Sequence, residues 1–291
     1  MEAANSVNLS RKNTTLAGRA LLIAAALLTL GILWATNEVQ PENFIFDVKK
    51  AAHWRFLETP WLYALLLLFT LSFPFVRSFE HRLRYYQKWK YILPGNLIIA
   101  AIFIVWDVWF TKIGVWGFND TYLTGLRFLG LPWEEWMFFI IVPFACVFIY
   151  EAVLYYFKKD ILAPVERPLT LVLALFFFAI GFVKWANIYT ATTFLLCGFF
   201  NLYHFFFVKN QHRGRFYLAY LFSILPFLLV NGALTGGFTE APVVYYNPDE
   251  YFGLRIVSIP VDDAAYGYLL LMANFSCYAY FKGRGSAATE Q

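Results

Sequence analysis

Two pairs of adjacent carboxylates stand at the mouths of long apolar runs. Pro132-Trp133-Glu134-Glu135-Trp136 opens the run from Met137 to Phe157, and Pro260-Val261-Asp262-Asp263 opens another that reaches Phe281. The two prolines are 260 − 132 = 128 positions apart. An ionised carboxylate beside hydrocarbon costs several kcal/mol unless it is paired or protonated. In a water-poor site, one acid of a close pair can keep its proton at neutral pH while its neighbour is ionised. Such a pair can protonate a carbon–carbon double bond, balance the carbocation that forms and take a proton back.

Further polar groups repeat at similar offsets. Asp107 and Thr111 lie four apart on one helical face, and Asn231 and Thr235 have the same spacing in a later apolar run. Aromatic residues surround the acids: Trp106, Trp109, Trp116, Trp133, Trp136, Phe138, Phe139 and Tyr266. Each feature has a plainer reading beside the chemical one. Proline followed by acids suits a helix start, where carboxylates face the positive end of the helix dipole. Asn231, Thr111 and Thr235 could serve only to bond helix to helix, and aromatic rings form belts at membrane interfaces. The sharper reading makes the rings a wall that attracts a cation, worth about 0.5–2 kcal/mol per face. Asp107 has no such plain reading, since a carboxylate inside a membrane helix is by default functional. Glu151 reads as an anchor at the far interface, and His204 as a packed histidine rather than a ligand.

These residues must be positioned by membrane-length helices. The chain has 291 residues, 60% hydrophobic, 21% aromatic and only 14% charged, where soluble domains carry about a quarter. Apolar runs long enough to cross a hydrocarbon core of about 30 Å recur along it, and each must satisfy its own backbone, which requires helices. Cys146, Cys197 and Cys277 all lie inside apolar runs, so neither disulfides nor thiolate chemistry is expected. The four histidines have no metal-ligand spacing, so no metal is expected, and a net charge of +4 implies no nucleic acid.

The expected fold is an all-α polytopic membrane protein of about eight transmembrane helices. They fall at 20–35, 61–76, 92–110, 132–157, 169–182, 190–208, 216–235 and 260–281. The polar connection 37–59 is expected at the surface. Helices 61–76, 92–110 and 132–157 correspond to 190–208, 216–235 and 260–281. That makes two parallel three-helix repeats, over 56–158 and 190–283, related by an axis along the membrane normal. Residues 159–189 supply a connecting helix, 1–55 an N-terminal extension with one helix, and 284–291 a polar tail. Lys and Arg collect in the loops at 77–90, 158–167 and 209–215, which with both termini are expected on the cytoplasmic side of the inner membrane. Lys49, Lys50 and Arg55 are exceptions, on the opposite side. All the polar candidates then lie at one level, near the non-cytoplasmic end.

The stretch from Leu131 to Glu151, LPWEEWMFFIIVPFACVFIYE, closely resembles the signature of the membrane-integral lycopene cyclases of carotenoid biosynthesis. These occur as two small subunits, as one fused chain, or as the cyclase part of a fungal bifunctional enzyme. Trp106-Asp107 with Thr111, the loop Gly114-Val-Trp-Gly-Phe-Asn119 and Tyr122-Leu-Thr-Gly125 are similar to that family too. So, more loosely, are Asn231-Gly-Ala-Leu-Thr235 and Pro260-Val-Asp-Asp263. The resemblance covers about residues 60–281. It implies acid-catalysed, redox-neutral closure of the ψ end of lycopene to a β-type ring, giving β-carotene by way of γ-carotene. Glu134, Glu135, Asp262 and Asp263 would be catalytic with Asp107. Trp106, Trp133, Phe138, Tyr266, Thr111, Asn231 and Thr235 would shape the substrate and cation site. Lycopene and other apolar carotenoids, the lipid bilayer and other enzymes of the pathway are the implied partners. No dinucleotide fingerprint is present, so neither flavin nor any other cofactor is expected.

Three other functions fit parts of this pattern: a carotenoid hydratase, a membrane prenyltransferase with the acid pairs on Mg²⁺, and a proton-coupled transporter. Product mass, a Mg²⁺ requirement and pH-driven transport in liposomes separate them. On the cyclase reading, glutamine at either 134 or 135 is expected to remove most activity.

Overall fold

A computed structural model describes residues 44–208 and 213–289, together with a broken set of positions between 17 and 32. The described positions in that N-terminal set are helical. The tail before it, the end of the expected first helix and Lys209 lie outside the described residues.

Seven helices follow: α1 (Leu62–Arg77), α2 (Trp89–Ile113), α3 (Trp133–Tyr156), α4 (Glu166–Val183), α5 (Ile188–Phe207), α6 (Arg213–Leu234) and α7 (Val261–Thr289). Their positions match the expected runs to within a few residues, except at the end. There α7 continues as helix to Thr289, so most of the expected polar tail is helical. Among the described residues, five stretches are long and apolar enough to cross a membrane: Tyr85–Ile113, Trp133–Tyr156, Glu166–Val183, Ile188–Phe207 and Arg213–Leu234. The shorter Leu62–Arg77 is apolar as well. The chain is thus a mostly helical membrane protein. α7 is not among the five, because Tyr266, Gly267, Tyr268, Asn274 and Tyr278 interrupt its apolar middle.

The loops hold short β-ribbons that the sequence reading did not anticipate: β1 (Trp116–Phe118), β2 (Arg127–Phe128), β3 (Leu131–Pro132), β4 (Val244–Tyr246), β5 (Arg255–Ile256) and β6 (Ile259–Pro260). β2–β3 and β5–β6 are the same hairpin repeated at the 128-residue offset, each delivering a proline to a helix start. Even their strained residues correspond, since Leu129 (φ 51°) and Val257 (φ 59°) both take the left-handed conformation. β1 and β4 also correspond at this offset, and they pair with each other antiparallel, Gly117 opposite Tyr245. Two equivalent strands paired in this way define a local two-fold axis at that residue pair.

Packing follows the same symmetry. α1 lies on α3 as α5 lies on α7, and the halves interlock through α2 on α7 and α6 on α3. The α2–α7 crossing is close because residue 95 is glycine; a Cβ there would stand 2.7 Å from Cβ of Cys277. α4 packs on α5, outside the repeat. The 44–54 segment, expected at the surface, crosses the loop layer. Ala51 and Trp54 donate backbone hydrogen bonds to Gly237 and Phe238 (2.8 and 3.0 Å), and Trp54 stacks on Phe238.

Candidate active site

Each acidic pair begins a helix. Pro132 is held extended at the N-cap of α3, where its fixed φ suits the entry, and Trp133 N–H donates to Leu126 O (3.0 Å). Val261 repeats this bond to Leu254 O (3.1 Å). Consecutive residues on a helix point about 100° apart, so the two acids of a pair face different surroundings.

The first acid of each pair serves the loop. Glu134 accepts from the Thr124 backbone N–H (2.9 Å) and hydroxyl (2.7 Å). Asp262 accepts from the Phe252 N–H (3.2 Å) and the Thr190 hydroxyl (2.5 Å). Both are fully buried, and Thr124 and Phe252 are themselves 128 residues apart.

The second acid faces a cavity. Tyr63 donates to Glu135 Oε2 (2.5 Å), while Asp263 accepts from Tyr189 (2.8 Å), Asn231 Nδ2 (2.8 Å) and Tyr246 (2.9 Å). Asp107 on α2 accepts from Trp116 Nε1 (2.5 Å). Burial pushes the Tyr246 phenol well above its usual range, and the adjacent Asp263 charge adds to the effect, so its hydroxyl remains a donor. Asp107, Asp263 and Glu134 all lie within electrostatic reach of Glu135.

The cavity is about 680 Å³ and mostly apolar, with its carboxylates gathered at one end, where Asp107, Glu135, Asn231, Asp263, Tyr63 and Tyr266 meet. It runs between α1 and α6 over α3 and α7, from Glu135 as far as Tyr156 and Phe157. Glu135 and Tyr156 are twenty-one residue steps apart on one helix, about 32 Å at 1.5 Å per residue. Several of its lining residues, Phe69, Phe73 and Phe222 among them, are strongly exposed on the outer face of the bundle.

Of the residues anticipated from sequence, the cavity wall holds Asp107, Glu135, Asp263, Asn231, Phe138 and Tyr266, with Trp116 and Phe139 of the aromatic set. Glu134, Asp262, Trp106, Trp133, Thr111 and Thr235 stand behind it. Trp106 supports the wall through Tyr266 (ring centroids 5.2 Å apart). Trp133 bonds Thr124 (2.5 Å), and Thr235 bonds Ser258 and Asn231 O (both 2.8 Å). Thr111 sits one turn beyond Asp107 on α2. Sequence reasoning did not single out Tyr63, Tyr189 or Tyr246. A signal existed for the first two: a tyrosine stands in the first turn of α1 and again of α5, 126 residues later.

At the other end of α3, Glu151 is buried and binds Lys88, Lys282 (2.9 Å) and Tyr278 (2.5 Å). This anchor is an internal ion cluster joining α2, α3 and α7 rather than a single interfacial side chain. His204 bonds Ser276 (2.9 Å), a packed histidine.

A sequence model described as lycopene cyclase matches residues 60–153 and 186–281, more than half of the chain. No curated protein and no solved structure matches.

Proposed function

The chain belongs to the lycopene cyclase family, and from that premise we propose that it closes the ψ end of lycopene to a β-type ring in the cavity between α1 and α6. The observation that carries this reading is the meeting of three carboxylates, two from one repeat and one from the other, at the closed end of an apolar cavity long enough for a polyene. A proton from Glu135 or Asp107, each less furnished with donors than Asp263, adds to C2 of the end group and leaves a tertiary cation at C1. The C5=C6 π electrons form the C1–C6 bond and move the cation to C5. Loss of the C6 proton then restores the alkene. One proton enters and one leaves, so no redox partner is required and the mass is unchanged. Asp263, with three donors on its two oxygens, is the acid best suited to stay anionic and face the cation. Tyr266, Phe138 and Trp116 present π faces to it.

On this reading all eight helical stretches cross the bilayer, and the two matched regions are duplicated units. The ends of α3 and α7 near Lys88, Lys158 and Lys282 are cytoplasmic.

Expression in a host that accumulates lycopene tests the proposal. The expected product is a cyclic carotenoid of lycopene's mass. Glu135→Gln and Asp263→Asn each lower its yield at least about a hundredfold, the scale of lost acid–base catalysis, while the protein still inserts. A wild type that forms no ring, or either variant at full activity, overturns it.

A further inference from the structure

The end of the bundle far from the acids carries a second, unlike hollow. It lies between the 81–91 segment and the end of α7 and is lined by His81, Arg82, Arg84, Lys88, Lys90 and Lys282, with Leu83, Gln87 and Tyr91. Its volume is about 450 Å³. Glu151, which two of these lysines reach, is occupied by Lys88 and Lys282. Among the described residues, Arg82, Arg84 and Lys90 have no carboxylate partner. Lys90 lies over the ring of Tyr91, its ammonium 4.9 Å from the centroid. The backbone turns to gather these cations. Arg84 takes a left-handed conformation (φ 44°), rare for a residue with a Cβ, and so breaks the chain between Arg82 and Lys88 into a tight bend. Tyr85 locks that bend by donating to Phe144 O (2.6 Å).

Like charges gathered around one concavity repel, and an anion among them relieves that repulsion. Paired guanidinium groups match the oxygens of a phosphate, and an ammonium adds a point charge. Tyr91 lines the hollow, and Tyr86 and Trp89 stand beside its residues in the chain, residue types that mark the headgroup level of a bilayer. We propose that this hollow binds a phosphate group, with Arg82, Arg84 and Lys90 as its free ligands, and that in the membrane the phosphate is an anionic phospholipid headgroup. The site would clamp the ends of α2 and α7 together through Lys90, Lys88 and Lys282. Those two helices also carry Asp107 and Asp263.

The test is thermal unfolding of the detergent-solubilised full chain with phosphatidylglycerol, with phosphatidylcholine, or with inorganic phosphate. Phosphatidylglycerol is expected to raise the midpoint by several degrees and phosphatidylcholine not to. The triple variant Arg82→Gln/Arg84→Gln/Lys90→Gln loses most of that rise. Lys158→Gln/Lys159→Gln, at the same end of the bundle but outside the hollow, keeps it. A comparable rise with inorganic phosphate supports the site and makes the headgroup alone sufficient. A rise with phosphatidylglycerol only supports it and assigns the lipid as the source. No rise with either, or equal loss in both variants, overturns it, since the effect is then absent or general charge. Should the triple variant be less stable, phospholipid retained through purification, counted by mass spectrometry against wild type, separates the same outcomes.

Discussion

A carboxylate at the start of a helix can serve the backbone or the substrate, and a shift of one residue decides which. Glutamine keeps a carbonyl oxygen for the Thr124 N–H but cannot deliver a proton as an acid does. Glu134→Gln is therefore expected to retain most cyclase activity where Glu135→Gln loses it. This differs from the expectation drawn from sequence, which treated the two acids alike. Glu134→Ala leaves the half-buried Thr124 N–H and hydroxyl without this acceptor and lowers stability by about 0.5–1.5 kcal/mol. Denaturant unfolding beside carotenoid yield separates these effects. The sequence placed both acids at the helix mouth, but which one faces the cavity depends on α6 and α1, which are distant in the chain. The tyrosines were hidden for a related reason, because Tyr63 gains meaning only from Glu135, seventy-two residues away. A third acid, Glu58, works in the loop layer. Burial alone would raise its carboxyl, but bonds from Tyr122 (2.6 Å), the Glu240 N–H (2.7 Å) and His53 (3.1 Å) bring it below its ordinary 4.5. A depressed carboxyl contributes stability above its unfolded value and loses it as pH falls through the folded one. Wild type should thus unfold at a higher temperature than Glu58→Gln near neutral pH, and the gap should close as pH falls below the ordinary 4.5 and through the lowered folded value. A gap unchanged by pH would show that the Glu58 charge contributes nothing.

At the scale of the elements, the helices were readable because apolar length is a local property, and the ribbons were not. A two-residue strand is too short to show an alternating pattern. The left-handed residues of both hairpins include Leu129 and Val257, which do not suggest a turn by type. The interlocking of α2 with α7 was equally hidden, since nothing local pairs Gly95 with Cys277. That contact sets how closely the helices bearing Asp107 and Asp263 approach. Gly95→Ala brings a Cβ to 2.7 Å from Cys277 Cβ, so the helices must separate. The expected cost is about 1–3 kcal/mol, typical of overpacking, with cyclase activity falling further than stability because the acids move apart. Cys277→Gly removes the opposing Cβ. The double variant should recover part of the loss despite the helix penalty of the new glycine, about 1 kcal/mol. A double-mutant cycle reads that coupling, and strictly additive effects would mean the crossing is not what residue 95 controls.

In the whole molecule, the likeness of the two halves is legible as a 128-residue offset in the acids. That the two acidic mouths form one site is expected from sequence, but not which side chains of the two halves face each other there. Neither half holds it alone. The first supplies Tyr63, Asp107 and Glu135, the second Tyr189, Asn231, Tyr246 and Asp263, and the cavity lies where α6 of the second crosses α3 of the first. The paired strands β1 and β4 fasten the halves at the local two-fold, and Asn119 N–H donates to Val243 O (2.8 Å) beside them. The covalent link between halves, by contrast, passes through residues 157–165 and α4, which contribute little to the cavity beyond Phe157. The chain should therefore tolerate a break in that link better than a break in the interface. Fragments 1–164 and 165–291, co-expressed in the lycopene-accumulating host, are expected to form cyclic carotenoid, and either fragment alone to form none. Asp263→Asn in the second fragment should abolish the reconstituted activity, which ties it to the shared cavity. Ring formation by the first fragment alone would mean that one repeat suffices and that Asp263 is not part of the chemistry.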